Sequence, residues 1–472
     1  MRLKRRVMFI LSILLILPLA ACGGTKTGGG DAAEETIEEV EPSVVTADET
    51  KEESVTAEEP SGETAAAENP NATPEMDFDL GGRTIKVVSW WDMTLSGEDP
   101  DTLQRIENLE KLKKKHNFNI EYIAIDYGEY RDKIVASLSA GQPLGDIVRV
   151  GKAYAIPALV KRDMFWPVDE YTKNDKVFNQ TVREFSKYEG RSYGFSENLQ
   201  NMATGIFYNK TLEKKLGLKP LQEYMNENTW NWETFITVAK SANRDTDNDG
   251  KLDTWGLASG GFLEQALAAN ETDLVNEEMK KHNLDDPRVI ETFNFISRLA
   301  TENVPRPTEG GDWTEPRQFF VQGNTLMYAG CDYETSGLQN DMADYEIGFL
   351  PFPKGPSAST YHGCEPLAQF LTIPKTVDNP EQLLYIWEKI FDIESVYEYP
   401  GQGWYENLFD NEDDINNLVT AAAGMRLTNQ ASFPDFPFWN ILGDLRNGVS
   451  VSTVIETYKA DCQAKIDAVY NN

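Results

Sequence analysis

The most local chemistry in the chain sits in Asp245-Thr-Asp-Asn-Asp-Gly-Lys-Leu-Asp253. A hard cation such as calcium collects several oxygen ligands. An acidic loop meets that need with carboxylates at positions 1, 3, 5 and 9 and a glycine at position 6. Asp245, Asp247, Asp249 and Asp253 occupy the carboxylate positions, Gly250 the turn, and Lys251 offers its backbone carbonyl. The twelfth position is Gly256, so the bidentate glutamate of a tight loop is missing. Two readings stand: a structural calcium site that fills at millimolar concentration, or an Asp-rich turn capped by its own backbone. No other cofactor is expected.

Catalytic constellations are not found in the sequence. There is no Gly-x-Ser-x-Gly elbow, no His-Glu-x-x-His pair and no phosphate loop. His116, His282 and His362 lack triad-like or metal-like neighbours. A carboxylate pair for glycoside hydrolysis has no motif pointing to it in this Asp/Glu-rich chain. Among the cysteines, Cys22 ends the string Leu-Ala-Ala-Cys, preceded by a basic start (Met1 to Arg6) and an apolar run from Val7 to Leu19. That run is interrupted by Ser12 and Pro18 and is too short to span a bilayer, which takes about 20 residues. It reads as a signal peptide over residues 1–21, cut before a lipid-modified Cys22.

The elements that position such groups follow from length and pattern. A chain of 472 residues is long enough for two or three domains. Its net charge of -33 opposes phosphate-backbone binding, so nucleic acid is not an expected partner. Residues 22–79 are rich in Gly, then in Glu, Thr, Ala and Pro, and read as an acidic disordered linker. Beyond it, Thr84–Trp90, Ile120–Ile125 and Asp146–Val150 read as strands. Leu103, Ile106, Leu109 and Leu112 form a helical stripe between the first two. Asp286-Pro287 and Asn379-Pro380 mark helix starts. Alternating strand and helix implies βαβ units with a mainly parallel sheet, in an α/β chain arranged as two lobes.

Several segments, in order, then carry a family resemblance: Ile134 to Gly141 with Asp146-Ile-Val; Tyr188 to Gly194; Gly205-Ile-Phe-Tyr-Asn-Lys210; Thr229 to Trp232; Phe320 to Met327; and Ile373-Pro-Lys375. Over nearly all of residues 80–472 the chain resembles bacterial extracellular solute-binding lipoproteins of carbohydrate ABC transporters (family 1). The resemblance implies the two-lobed periplasmic-binding-protein type II fold, with hinge crossovers and a central cleft. It places lobe 1 in 80–198 and 362–410 and lobe 2 in 199–361 and 411–472, with hinges through Phe195–Ala203 and near Gly355–Gly363. It further implies capture of a carbohydrate, expected to be a neutral oligosaccharide, and delivery to ABC permease subunits by a monomer tethered outside the cell membrane through the lipid on Cys22. A binder of uronate or peptide, a ligand-presenting sensor on the same fold and a secreted glycosidase are the rival readings.

Sugars are held by flat aromatic faces against their C–H surfaces and by polar groups on their hydroxyls. Trp90, Trp91 and Asp92 lie at the C-terminal end of the first strand, where open α/β sheets hold ligands. Arg149 ends the third strand, with Tyr154 beyond it. By resemblance, Glu197 and Asn198 belong to a polar hinge, Asp332 and Tyr333 stand where relatives carry an aromatic platform, and Trp439 matches another. Trp404 and Trp313 are additions to the set. Trp230, Trp232, Trp255 and Trp387 are expected in the core. The resemblance puts Cys331 and Cys364 near cleft and hinge, close enough for a disulfide to be considered. Buried free thiols are the simpler expectation for these two and Cys462.

Overall fold

The protein is described by a computed structural model over residues 69–365 and 368–470. The expected signal peptide, Cys22 and residues 22–68 of the expected linker lie outside the described residues. No described helix is long and apolar enough to cross a membrane.

Two four-stranded sheets organise the chain. The first contains β1 (Arg83–Ser89), β2 (Phe118–Ala124), β3 (Ile147–Gly151) and β8 (Gln369–Thr372), in the order β8-β3-β1-β2. β1 runs parallel to β2 and β3, with Ile85 opposite Ile120 and Val87 opposite Ile147, and β8 returns antiparallel to β3. Successive strand side chains point to opposite faces. Ile85, Val87 and Ile147 therefore enter one core with helices α1 (Pro100–His116) and α5 (Pro380–Phe391). Val88, Val148 and Val150 enter another with α2 (Tyr127–Ser139). Helices on both faces are what a mainly parallel sheet requires.

The second sheet has the order β7-β4-β6-β5, from β4 (Thr204–Asn209), β5 (Trp255–Leu257), β6 (Thr325–Cys331) and β7 (Ile347–Pro351). Alternation recurs along β4. Ile206 and Tyr208 join the core of α3 (Trp232–Ala242) and α4 (Pro287–Thr301), while Phe207 joins Phe320 and Phe349 on the other face. The helix starts differ in kind. Asp286 caps α4 by accepting from Arg288 N, whereas Asn379 precedes α5 in a left-handed conformation (φ 52°) with no side-chain cap.

The chain crosses between the lobes three times. Phe195 still pairs with Leu371 of the first sheet, while the Ala203 carbonyl accepts from Asp332 N at the end of β6. Cys364 N donates to Thr204 Oγ1 (2.7 Å), and the Ala368 carbonyl accepts from Lys152 N beside β3. Val396 N reaches Asp101 on α1 (3.1 Å), but the next helix, α6 (Gln402–Leu408), buries Tyr405 and Leu408 against Phe207.

These contacts correct three expected boundaries. The first lobe's later segment runs from about 368 to 396, not 362–410. His362 is held by the Gly424 carbonyl (2.9 Å) on the second-lobe side, and the aromatic side of α6 is buried there too. The linker does not extend to residue 79. Asn69 donates to Asn174 (2.7 Å), Glu75 pairs with Lys115 (2.6 Å) and Phe78 stacks on His116 at 4.1 Å.

Candidate ligand-binding site

The end of β1 fixes two tryptophans in different ways. The Trp90 ring meets Tyr127 and Tyr130 edge-on, at 5.7 and 5.2 Å, and so is a packing residue. Tyr130 is itself tied down, donating to the Val88 and Arg149 carbonyls (3.0 and 2.8 Å). Trp91 is half-buried, and the guanidinium of Arg149 lies 4.0 Å from its ring centroid. Asp92 is exposed and accepts from Thr94 N and Oγ1 (2.9 and 2.6 Å). The Thr94 hydroxyl is the main cause holding its carboxyl below the usual range.

Arg149 departs from expectation. It was expected to face a ligand, but it is only 3% exposed and its nitrogens are engaged internally. Nε donates to Ser89 Oγ (3.1 Å), Nη1 to Gln369 Oε1 (3.4 Å) and Nη2 to Glu197 Oε1 (2.7 Å). The cause is its place on a central strand, between β1 and β8. Glu197 presents its second oxygen, Oε2, buried and without a hydrogen-bond partner among the described residues. An unpaired buried acceptor of this kind costs free energy until a donor arrives. Asn198 follows it, half-buried, and its carbonyl accepts from Ser196 Oγ (2.9 Å). Tyr154 packs in the first lobe beneath the Arg131 guanidinium, 5.7 Å from the ring.

The second lobe supplies Asp332, Tyr333 and Trp404 together. Asp332 is buried just after β6, and its Oδ2 accepts from Ala203 N (3.3 Å). Burial nevertheless dominates and raises its carboxyl to about 6. Tyr333 is 57% exposed and Trp404 41%, so both rings keep a free face. Trp439 is 75% exposed at the start of α7 (Phe438–Arg446), touching Phe438 edge-on at 5.1 Å, and Trp313 is 89% exposed. No hydrogen bond or ring contact joins Trp439 or Trp313 to the Trp91 group among the described residues.

Two residues outside the expected set bridge the lobes. Lys152, buried at the end of β3, hydrogen-bonds Asn429 and lies 3.4 Å from Glu277, both of the second lobe. Its position just after a strand's C-terminal end is a usable signal; Asn429, in an irregular loop, offers none.

The acidic loop brings Asp245, Asp247 and Asp253 together, with ligand oxygens within 4.8 Å of one another. Asp245 Oδ1 is buried without a donor, which suits a cation. Asp249 instead accepts from Lys251 N (2.8 Å) and stands apart from that cluster. The missing glutamate has a steric reason. A Cβ at Gly256 would lie 1.9 Å from the Ala239 carbonyl oxygen, because β5 lies directly on α3. Cys331, Cys364 and Cys462 are free and buried, and burial pushes the Cys462 thiol up to about 12.

A family model for bacterial extracellular solute-binding proteins matches residues 100–388. The chain belongs to that family. No curated protein matches it as a sequence. The solute-binding protein shares its two-lobed fold with a cyclic α-maltosyl-1,6-maltose binding protein from Arthrobacter globiformis, at TM-score 0.60 and 14% identity, over 82% of this chain and 100% of that one. An ABC substrate-binding protein from Listeria monocytogenes, in complex with cycloalternan, aligns at TM-score 0.58 and 14% identity over 83% and 99%. The maltose/maltodextrin-binding domain from Bdellovibrio bacteriovorus, bound to maltotriose, aligns at 0.53 and 16% over 82% and 100%.

Proposed function

We propose that this solute-binding protein captures a neutral oligosaccharide between its lobes and delivers it to the permease of an ABC importer. The observation that carries the reading is the half-buried Trp91 ring, held on Arg149, which is itself bonded to Glu197 of the first crossing segment: an ordered aromatic plane of the kind that fits a sugar's C–H surface. Asp92, Asn198, Asp332, Tyr333, Trp404 and Trp439 complete the candidate set, with Trp90 and Arg149 packed behind it. The relatives' bound cycloalternan and maltotriose support the same ligand class. An anionic ligand would call for several outward-facing guanidinium groups, and the arginine at this site is taken up internally. Binding without turnover, by a monomer held at the outer face of the membrane through Cys22, belongs to the same proposal. Isothermal titration against neutral oligosaccharides, uronates and peptides tests it. Heat from peptides or uronates alone overturns it.

The Asp245 cluster favours a second, structural proposal: calcium held by Asp245, Asp247 and Asp253, with the Lys251 carbonyl, and Asp249 turning in. A cation bound only by the folded state raises the melting temperature by mass action. Melts in millimolar calcium and in EDTA are expected to differ by several degrees; identical midpoints leave only the turn.

A further inference from the structure

The group around Arg149 joins four parts of the chain at one buried point. Its guanidinium holds Ser89 at the end of β1, Gln369 in β8 and Glu197 in the first crossing segment, and its Nη2 lies 3.4 Å from Met93 Sδ. Its flat face covers Trp91 at 4.0 Å, and Trp90 is 5.8 Å away. The backbone register strengthens the link. Leu371, opposite Arg149 in β8, also pairs with Phe195, two residues before Glu197. A planar guanidinium that is both stacked and hydrogen-bonded fixes a ring in a way an ammonium cannot.

We propose that Arg149 is a positioning residue: it sets the plane of Trp91 and, through Glu197, ties that plane to the crossing between the lobes. The ligand side of this inference rests on the carbohydrate reading above; the placement of Trp91 does not. One ring face is closed by the guanidinium, so stacking is directed to the other. A displacement of the crossing segment that carries Glu197 is passed to the ring through a single side chain. Lysine at position 149 keeps a positive charge for Glu197 but has neither the fork nor the flat face.

The test begins without ligand. The Trp91 fluorescence component is taken as the difference between each protein and its W91F counterpart, in wild type, R149M and R149K. Acrylamide is expected to quench that component about threefold more strongly in both variants. R149K is expected to recover much of the stability lost in R149M while leaving Trp91 equally loose, a split that a purely structural arginine would not produce. If R149M fails to fold because Glu197 loses its partner, R149M/E197Q replaces that carboxylate with an amide and serves in its place. Titration with maltotriose then reads the consequence. We expect about tenfold weaker binding for R149M, about thirtyfold for W91A, and no more than the W91A loss for W91A/R149M, because both act through one ring. Unchanged quenching in folded R149M, or losses that multiply in W91A/R149M, overturns the proposal. If wild type gives no heat with maltotriose or any neutral oligosaccharide, the carbohydrate reading falls, and the quenching alone decides the role of Arg149.

Discussion

Two tryptophan pairs look alike in the sequence and are used differently in the fold. In Thr229-Trp-Asn-Trp232, Trp230 is fully buried and donates its indole N–H to the Pro351 carbonyl (2.8 Å), while Trp232 lies flat on Phe295 at 4.3 Å. In Trp90-Trp91, the second ring is half-buried against a cation. The difference lies in the partners. Aromatic and aliphatic neighbours close around Trp232 and leave it a stability residue. Trp91 has the Arg149 guanidinium on its ring and Trp90 edge-on at 5.2 Å, yet stays half-buried, so the surface it keeps is ordered before any ligand arrives. Preorganisation of that kind lowers the ordering cost of binding.

The largest effect that would break this contrast is expected at Trp232. Truncation of a buried aromatic costs about 3–5 kcal/mol, so Trp232→Ala should lower the denaturation midpoint sharply while its folded fraction binds ligand as wild type does. A parallel loss of affinity would place Trp232 in the site and erase the distinction.

Asp332 comes next, a polar group treated like core. Burial raises its carboxyl from 3.8 to about 6, so between those values the folded protein keeps a proton that the unfolded chain has lost. Its contribution therefore declines as pH rises from about 4 to 6 and is absent above, amounting to as much as about 3 kcal/mol. Asp332→Asn imitates the protonated acid and should flatten the stability curve across that window. Denaturant titrations at several pH values measure it, and an unchanged slope refutes it.

Smaller again is the ligand effect at Trp91. Trp91→Ala should lose about 2 kcal/mol of binding, roughly thirtyfold, with little change in midpoint. Trp439 should show the least. Its ring is 75% exposed with a single aromatic neighbour, so it is ordered on contact, and Trp439→Ala should cost about 1 kcal/mol. Titration calorimetry ranks the two, and a larger loss at Trp439 would reverse the order argued here.

Much of the fold was legible in pattern. The short β-branched runs of β1 and β3, the stripe through Leu109 and Leu112, and the Asp286 cap are local signals, and local signals survive without knowledge of the partner. The burial of Arg149 was not legible. A basic residue in Asp146-Ile-Val-Arg-Val150 reads as a strand end until β8, far along the chain, is known to cover it. The same reason hid the second-lobe packing of α6, since Trp404 and Tyr405 carry no mark of which lobe their faces meet. The steric bar at Gly256 depends on a helix surface that spacing alone does not reveal.

The pairing of β3 with β8 also bears on how the chain assembles. Arg149 and Gln369 are 220 residues apart, whereas all four strands of the second sheet lie between Thr204 and Pro351. Non-local pairing is slow, because a long loop must close before any contact rewards it. Until residue 372 has been made, β3 stands as an open sheet edge, the kind that invites pairing with another chain. The second sheet can close from a contiguous stretch in the meantime. The lobe that begins first is therefore the one whose sheet is finished last, and the Trp91 brace is among the late contacts to form.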